Sequence, residues 1–249
     1  MNYVIKKDEE NMDCFIDIHC HILPGVDDGA GSMEESLSML ETAAEEGISD
    51  MIVTPHYKKG RHNAGVHTIL ERMRSLQEAA DEKDIPVTLH PGNEVYCFEG
   101  MEEVLDAGTI LTLNGTDRVL VEFSPTDSFV YIRNAVDSLR GMDYIPVIAH
   151  TERYKCFLEY WEYVEDLKRM DAEIQVNASG IMGGQGGQVK RFIHRLLKEQ
   201  LVDYAATDAH DCQRRAPNIK KCAAYLYRKY GSDYAEKITY SNAFRLIQE

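Results

Sequence analysis

The sequence predicts an α/β fold built on a parallel sheet, and three observations carry that expectation. Seven short segments rich in β-branched residues recur along the 249-residue chain. Amphipathic helical patterns fall between them, the alternation expected of repeated βα units. Titratable residues collect at the C-terminal ends of those segments, the edge at which parallel βα folds place their sites.

The segments are "CFIDIH", "DMIVTPH", "IPVTLHPGNEVY", "RVLVEFS", "YIPVIAH", "EIQVNAS" and "VDYAATDAH". Between the first two, Ser32 and Glu35 form a capping box, Met33, Leu37, Leu40 and Ala44 line one helical face, and Gly47 ends the helix. Thr68 with Glu71 repeats the capping device before Ile69, Met73, Leu76 and Ala80. Ile132, Val136 and Leu139 form a third apolar stripe, and Val189, Ile193, Leu196 and Leu197 a fourth. The length allows one large domain or two small ones. No low-complexity linker and no repeat beyond the alternation interrupts the chain, so a single domain is expected over residues 14–249.

The start, "MNYVIKKDEENMDCF", is charged and lacks the apolar centre of a secretory signal, which points to the cytoplasm. Residues 1–13 are expected to be a disordered extension, with Met12 as an alternative natural start. No apolar run approaches the roughly 18 residues that cross a membrane. Lys and Arg number 27 against 42 Asp and Glu, a net charge of −15 that disfavours nucleic acid and anionic membranes as partners. Cys14, Cys20, Cys97, Cys156, Cys212 and Cys222 include no CxxC pair and are read as free thiols.

The strand ends are unevenly furnished. The first carries His19 and His21, the second His56, the third Glu94, the fourth Glu122, the fifth His150, and the seventh Asp208 and His210. One such residue is ordinarily a surface or hydrogen-bonded group, but eight coincident placements call for a common cause. Imidazole and carboxylate together suit Mn²⁺, Fe²⁺ or Zn²⁺, and more than four such ligands imply more than one ion. In the H-x-H pair, alternation along an extended chain turns both rings to the same side. Asp17 is expected to belong to the strand or to orient a histidine from behind.

This constellation resembles the PHP (polymerase and histidinol phosphatase) superfamily. Within it, "IDIHCHILPGVDDGAGSMEES", "VTPHY", "PGNEVY", "VLVEFS", "PVIAHTERY", "VNASG" and "ATDAH" are similar to the bacterial manganese-dependent protein-tyrosine phosphatases of capsule and exopolysaccharide operons, the CpsB/CapC-like group. The likeness runs from about residue 14 to the C-terminus. It implies a distorted (β/α)₇ TIM-like barrel and two to three divalent ions, Mn first with Fe or Zn as alternatives. It implies metal ligands at His19, His21, His56, Glu94, Glu122, His150, Asp208 and His210, phosphate-binding arginines at Arg153 and Arg215, and an aspartate beside the metals at Asp28. The substrate it implies is a phosphotyrosine protein, with a bacterial tyrosine kinase of polysaccharide export as the expected partner.

The chemistry then expected is attack of a metal-activated hydroxide on phosphorus, with Arg153 and Arg215 holding phosphoryl oxygens and Asp28 donating a proton to the departing phenolate. A small-molecule phosphatase of the histidinol-phosphate type is the nearest alternative; a nuclease or a metal-stabilised interaction protein fits less well. Cys222 and Arg228 satisfy the C-x₅-R spacing of cysteine-dependent phosphatases, but the intervening residues favour a helix, on which the two side chains diverge by about 120°. The glycine-rich "SGIMGGQGG" lacks a P-loop lysine and reads as a loop near the site mouth. The basic "YKKGRHNAGVH" reads as a loop facing a phosphopeptide, while His62, His67, His90 and His194 match no ligand position. His194 is expected on a solvated helix face.

Overall fold

Alternating strand residues sort into two buried layers on the two sides of a curled parallel sheet. The structure, a computed structural model, describes residues 14–248, so the extension expected over residues 1–13 lies outside the described residues. The strands are β1 (Phe15–Cys20), β2 (Ile48–Val53), β3 (His56–Tyr57), β4 (Thr88–Pro91), β5 (Glu94–Tyr96), β6 (Arg118–Glu122), β7 (Ile145–Ile148), β8 (Glu173–Asn177) and β9 (Tyr204–Ala206). They form two sheets of order β1-β2-β4 and β3-β5-β6-β7-β8-β9, and every pairing is parallel. Around them run α1 (Met33–Glu45), α2 (Val66–Asp81), α3 (Met101–Asp106), α4 (Phe129–Arg140), α5 (Lys155–Glu159), α6 (Glu162–Arg169), α7 (Ala178–Ile181), α8 (Gly187–Lys198), α9 (Lys220–Tyr230), α10 (Ser232–Glu236) and α11 (Asn242–Gln248).

Ile16, Ile18, Ile52, Leu120, Val147, Tyr204 and Ala206 face an inner cluster that Ala243 and Leu246 of α11 complete. Their sequence neighbours Phe15, Met51, Val53, Val119, Val121, Ile148 and Ala205 face the outer helices. Burial on both faces is what a parallel sheet under helices requires. The curl brings β9 back to β1: Asp208 N–H donates to His19 O and His21 N–H to Ala209 O, each at 2.8 Å.

Seven segments were expected and nine strands form, because two segments break. Pro55 has no amide proton to continue the ladder after β2, and the chain resumes as β3. Gly92 interrupts the third segment where a Cβ would stand 3.0 Å from Ile52 Cγ2 and 3.3 Å from Leu113 Cδ2. Asn93 bridges both breaks, donating to Pro55 O at 2.8 Å and accepting from Leu111 N–H at 2.9 Å. The breaks re-aim the chain so that His56 pairs with Glu94 across β3 and β5.

The helices follow the apolar stripes with two differences at their starts. Ser32 Oγ accepts from Glu35 N–H, but the Glu35 carboxylate reaches back to Gly31 N–H, not to Ser32. Thr68 and Glu71 do not start α2: the extended Gly65 does, without a side-chain cap, and Thr68 sits inside the first turn. All six cysteines are free, as expected. Cys222 lies on the buried face of α9 beside Leu226, its thiol pushed up to about 12 by burial. Half-buried His194 is not solvated as expected; its ring bonds the hydroxyls of Tyr225 and Tyr230.

Candidate metal centre

The centre begins with an irregularity in β1. Asp17 pairs with Met51 and Cys20 with Val53, so three steps along β1 match two along β2. One extra residue in a strand exchanges its faces beyond that point. Ile18 faces the inner cluster, and past the irregularity it is His19 and His21 that turn inward while Cys20 packs outward. Asp17 stays behind them, buried, and accepts from the amide and hydroxyl of Thr207, tying β1 to the end of β9. It bonds no imidazole.

Asp27 is the residue that orients a histidine. Its Oδ2 lies 2.7 Å from His21 Nδ1 and accepts His56 N–H at 3.1 Å, while Oδ1 accepts Gly29 N–H at 3.0 Å. Burial alone would raise its pKa, but these partners hold the carboxyl at about 2. Gly29 makes the loop possible: a Cβ there would lie 1.9 Å from the carbonyl oxygen of His21. Behind the other rings, Gln175 Oε1 faces His19 Nδ1 at 3.2 Å and accepts His150 N–H at 2.6 Å. Asn177 donates to Asp208 Oδ2 at 2.8 Å. The Tyr154 hydroxyl donates to Ala149 O at 2.9 Å and lies beside His150.

The eight residues named from the strand ends come together around Glu94. His150 Nε2 is 2.8 Å from its Oε1, His19 Nε2 is 3.3 Å from the same oxygen, and His21 Nε2 and His56 Nδ1 are 3.2 and 2.9 Å from Oε2. Glu122 lies 3.6 Å from His150 Nε2 and 3.9 Å from His56 Nδ1, and Asp208 Oδ1 lies 3.5 Å from His19 Nε2. Burial opposes ionisation of Glu94, but the flanking imidazoles, His19 first, hold it well below the usual carboxylate range. Asp28 stands outermost at 67% exposure, with Oδ1 3.3 Å from His56 Nε2 and 3.6 Å from His210 Nε2.

The donors fit divalent ions better than they fit one another. His56 Nδ1, Glu94 Oε2 and Glu122 Oε2 are buried without a hydrogen bond, although two of them lie only 2.9 Å apart. They face a common space and not each other. His19 Nε2 and His21 Nε2 likewise meet at 3.3 Å, where only a proton or a cation relieves two nitrogen lone pairs. Among the described residues, three overlapping groups are close enough to hold an ion: His21, Asp28, His56 and His210; His19, His21 and Glu94; and His56, Glu94 and Glu122.

The arginines flank this centre at Asp208. Arg153 Nη2 contacts Oδ2, and Arg215 Nη2 lies 2.8 Å from Oδ1. Both line an open cavity of about 680 Å³, with Ser179, Met182, Gln185, Arg214 and Lys221 also in its walls. The glycine-rich stretch thus lies at the cavity wall. From the basic loop, Lys58 Nζ reaches to 3.5 Å of Glu122 Oε2 and stacks over Tyr96. Two non-glycine residues with left-handed backbones, His150 at φ 31° and Asp208 at φ 53°, turn the chain aside at the strand ends. Such positions cost about 1–3 kcal/mol and collect at functional sites.

With this geometry in view, the family model for capsular polysaccharide synthesis, CpsB/CapC, matches residues 15–248. The chain belongs to the CpsB/CapC family. A curated relative, tyrosine-protein phosphatase YwqE of Bacillus subtilis, is 33% identical over 94% of this chain and 91% of its own length. The structure superposes with a TM-score of 0.88 and 32% identity, over 94% of this chain and 95% of the other, on one reported among crystal structures of YwqE from Bacillus subtilis and CpsB from Streptococcus pneumoniae, described as metal-dependent tyrosine phosphatases. A histidinol phosphate phosphatase from Lactococcus lactis shares the fold at TM-score 0.60 and 16% identity, over 92% of this chain and 97% of that one. In this CpsB/CapC chain, Asp27, Gln175, Asn177 and Tyr154 hold the site residues in place, and no role for them was read from the sequence. The signal was available for two: Gln175 and Asn177 are the polar residues at the C-terminal end of the alternating strand EIQVN, where the site residues of the neighbouring strands collect.

Proposed function

We propose that this chain is a metal-dependent protein-tyrosine phosphatase whose centre is built by His19, His21, His56, Glu94, Glu122, His150, Asp208 and His210, with two to three divalent ions, Mn²⁺ foremost. It is a phosphoric monoester hydrolase, as its curated relatives are. The observation that carries the reading is the trio of orphaned, buried atoms at Glu94, His56 Nδ1, Glu94 Oε2 and Glu122 Oε2, in a cluster whose Asp208 lines a cavity together with two arginines. Residues 14–249 then act as one domain, with the broken second and third segments counted as single staves of a (β/α)₇ barrel.

The bound ions supply charge neutralisation and a hydroxide nucleophile near neutral pH. The protein positions the ester. Arg153 and Arg215 each spend one contact on Asp208 and keep further N–H donors for phosphoryl oxygens, in the fork geometry that suits phosphate. Asp28, exposed on the outer side of the centre, is placed to give a proton to the departing phenolate. Tyrosine's pKa of about 10 already makes that leaving group better than an alkoxide. Lys58 and the basic loop after β3 stand where the rest of a peptide would pass. The substrate is a phosphotyrosine protein, proposed to be a cytoplasmic tyrosine kinase of capsule or exopolysaccharide synthesis.

The test compares a phosphotyrosine peptide with L-histidinol phosphate on the manganese-loaded chain. The proposal expects kcat/KM to favour the peptide at least tenfold. Preference for histidinol phosphate would replace it with the small-molecule reading.

A further inference from the structure

The cavity beside the metal centre extends past what one phosphoryl group can occupy. At about 680 Å³ it falls within the range that holds a whole drug-sized molecule. Arg153, Asp208 and Arg215 line it, and so do two exposed cations, Arg214, from the loop after His210, and Lys221, from the first turn of α9.

The charges in this cavity are unevenly committed. Its acids are Asp208, held by two arginines, and Glu46, whose Oε2 accepts Ile219 N–H at 2.9 Å and Lys220 N–H at 2.8 Å. Among the described residues, the side chains of Arg214 and Lys221 make no hydrogen bond and no ion pair, although the whole chain carries a net charge of −15. Two uncommitted cations therefore face a recess that is continuous with the phosphate-holding arginines. Arg214 is held at its place through its backbone: Asp211 Oδ1 accepts the N–H groups of Gln213 and Arg214, each at 2.6 Å, and that of Arg215 at 3.2 Å. The same turn therefore presents Arg215 to Asp208 and Arg214 to the same cavity. Met182, exposed at 45%, and Ala216 add apolar surface to the same cavity, against which an aromatic ring could pack.

We propose that Arg214 and Lys221 form an anion subsite for a side chain that flanks the phosphotyrosine, so that peptides with a neighbouring acidic or phosphorylated residue are preferred. This rests on the phosphotyrosine reading of the metal centre. The ligand chemistry is an anionic group one or two residues from the scissile ester, either a carboxylate or a second phosphate. Exposed ion pairs are individually weak, so two of them give roughly a twofold to thirtyfold preference, weakened by salt.

The experiment uses the full manganese-loaded chain and the variants Arg214→Gln, Lys221→Gln and the double variant. Substrates are p-nitrophenyl phosphate and three phosphotyrosine peptides flanked by alanine, by glutamate, or by a non-scissile phosphonate analogue of phosphoserine. The parent is expected to favour the anionic peptides by about tenfold in kcat/KM, through KM, with the phosphonate above glutamate if a second phosphate is the better ligand. In the double variant that preference falls to below twofold, while p-nitrophenyl phosphate, too small to reach Arg214 or Lys221, is hydrolysed within twofold of the parent. A parent without preference, or a preference that survives the double substitution, overturns the subsite. Binding of the same peptides is followed by fluorescence anisotropy, which separates the two ideas. Selective binding of anionic peptides without hydrolysis would sink the phosphatase reading and leave the subsite; equal hydrolysis of all three peptides would sink only the subsite.

Discussion

Replacing Asp27 by alanine removes the carboxylate that contacts His21 Nδ1 from behind, at 2.7 Å. It also frees His56 N–H and Gly29 N–H, now 3.1 and 3.0 Å from the same carboxylate. Those two amides sit at a partly open loop and regain water, so most of the loss falls on the His21 contact. A hydrogen bond to a charged group is worth about 1.5–3 kcal/mol. At 1.4 kcal/mol per decade, this corresponds to roughly tenfold to hundredfold. Independent experience with residues behind metal-bound histidines gives the same range of loss in metal affinity. The expected outcome is therefore a Mn²⁺ dissociation constant raised about 10–100-fold, with kcat at saturating Mn²⁺ within about threefold of the parent. Titration of the chelated protein with Mn²⁺, followed by calorimetry and by phosphotyrosine-peptide hydrolysis, measures both quantities. Unchanged affinity in a normally folded variant would refute the orienting role, and so would loss of kcat that excess Mn²⁺ does not restore.

Three further outcomes follow from the same geometry. Gly29→Ala places a Cβ 1.9 Å from His21 O, whereas a Cβ at Gly31 would meet only the flexible Glu35 carboxylate, at 3.6 Å. Overpacking of about 1–3 kcal/mol lowers the melting temperature of a chain this size by about 2–12 °C, while Gly31→Ala changes it by less than about 2 °C; equal effects would contradict the close approach. Asp28→Asn is expected to slow phosphotyrosine hydrolysis about tenfold or more, p-nitrophenyl phosphate far less, and to leave metal content unchanged; loss of an ion instead would make Asp28 a ligand and not the acid. Burial alone would lower the pKa of His21, but its contacts with Asp27 and Glu94 raise it to about 10, so the metal-free ring is protonated at pH 7.5. His19 shifts in the same direction, while His210 is lowered to about 4, by burial first, and is already neutral. Because an ion binds only the deprotonated ring, Mn²⁺ binding at pH 7.5 releases at least about one proton, and affinity falls steadily as pH falls below about 10, the pH 7–8 range included. Calorimetry in two buffers of different ionisation enthalpy reads that proton directly, and a release of zero would show that His21 is not displaced from its protonated form.

The strand ends were legible because chemistry there stands out against β-branched surroundings: His56, Glu122 and His150 each come at the end of an apolar run, and Glu94 stands between the Gly92 break and Val95. The parallel architecture followed from the alternation of strand and helix patterns for the same reason. What was not legible depends on backbone geometry that residue type does not announce. The extra residue in β1 that turns His19 inward carries no Gly or Pro to mark it. The breaks at Pro55 and Gly92 lie inside segments that read as continuous, and only the rigid proline and the crowding at the glycine explain them in retrospect. Asp27 and Asp28 are adjacent and alike in sequence, yet one is drawn beneath His21 and the other faces solvent because the turn at Gly29 folds onto the His21 carbonyl. Thr68 has the signature of a helix start, but Gly65 enters α2 one turn earlier and overrides it.

The central claim is that the cluster around Glu94 is a multinuclear centre that the hydrolysis of phosphotyrosine requires. Metal content per chain by elemental analysis, taken on the same samples as phosphotyrosine-peptide hydrolysis before chelation, after it and after Mn²⁺ repletion, tests this most directly. The account predicts two to three ions per chain, activity lost with them, and activity regained with manganese. A chain stripped of metal that still hydrolyses the peptide would contradict it.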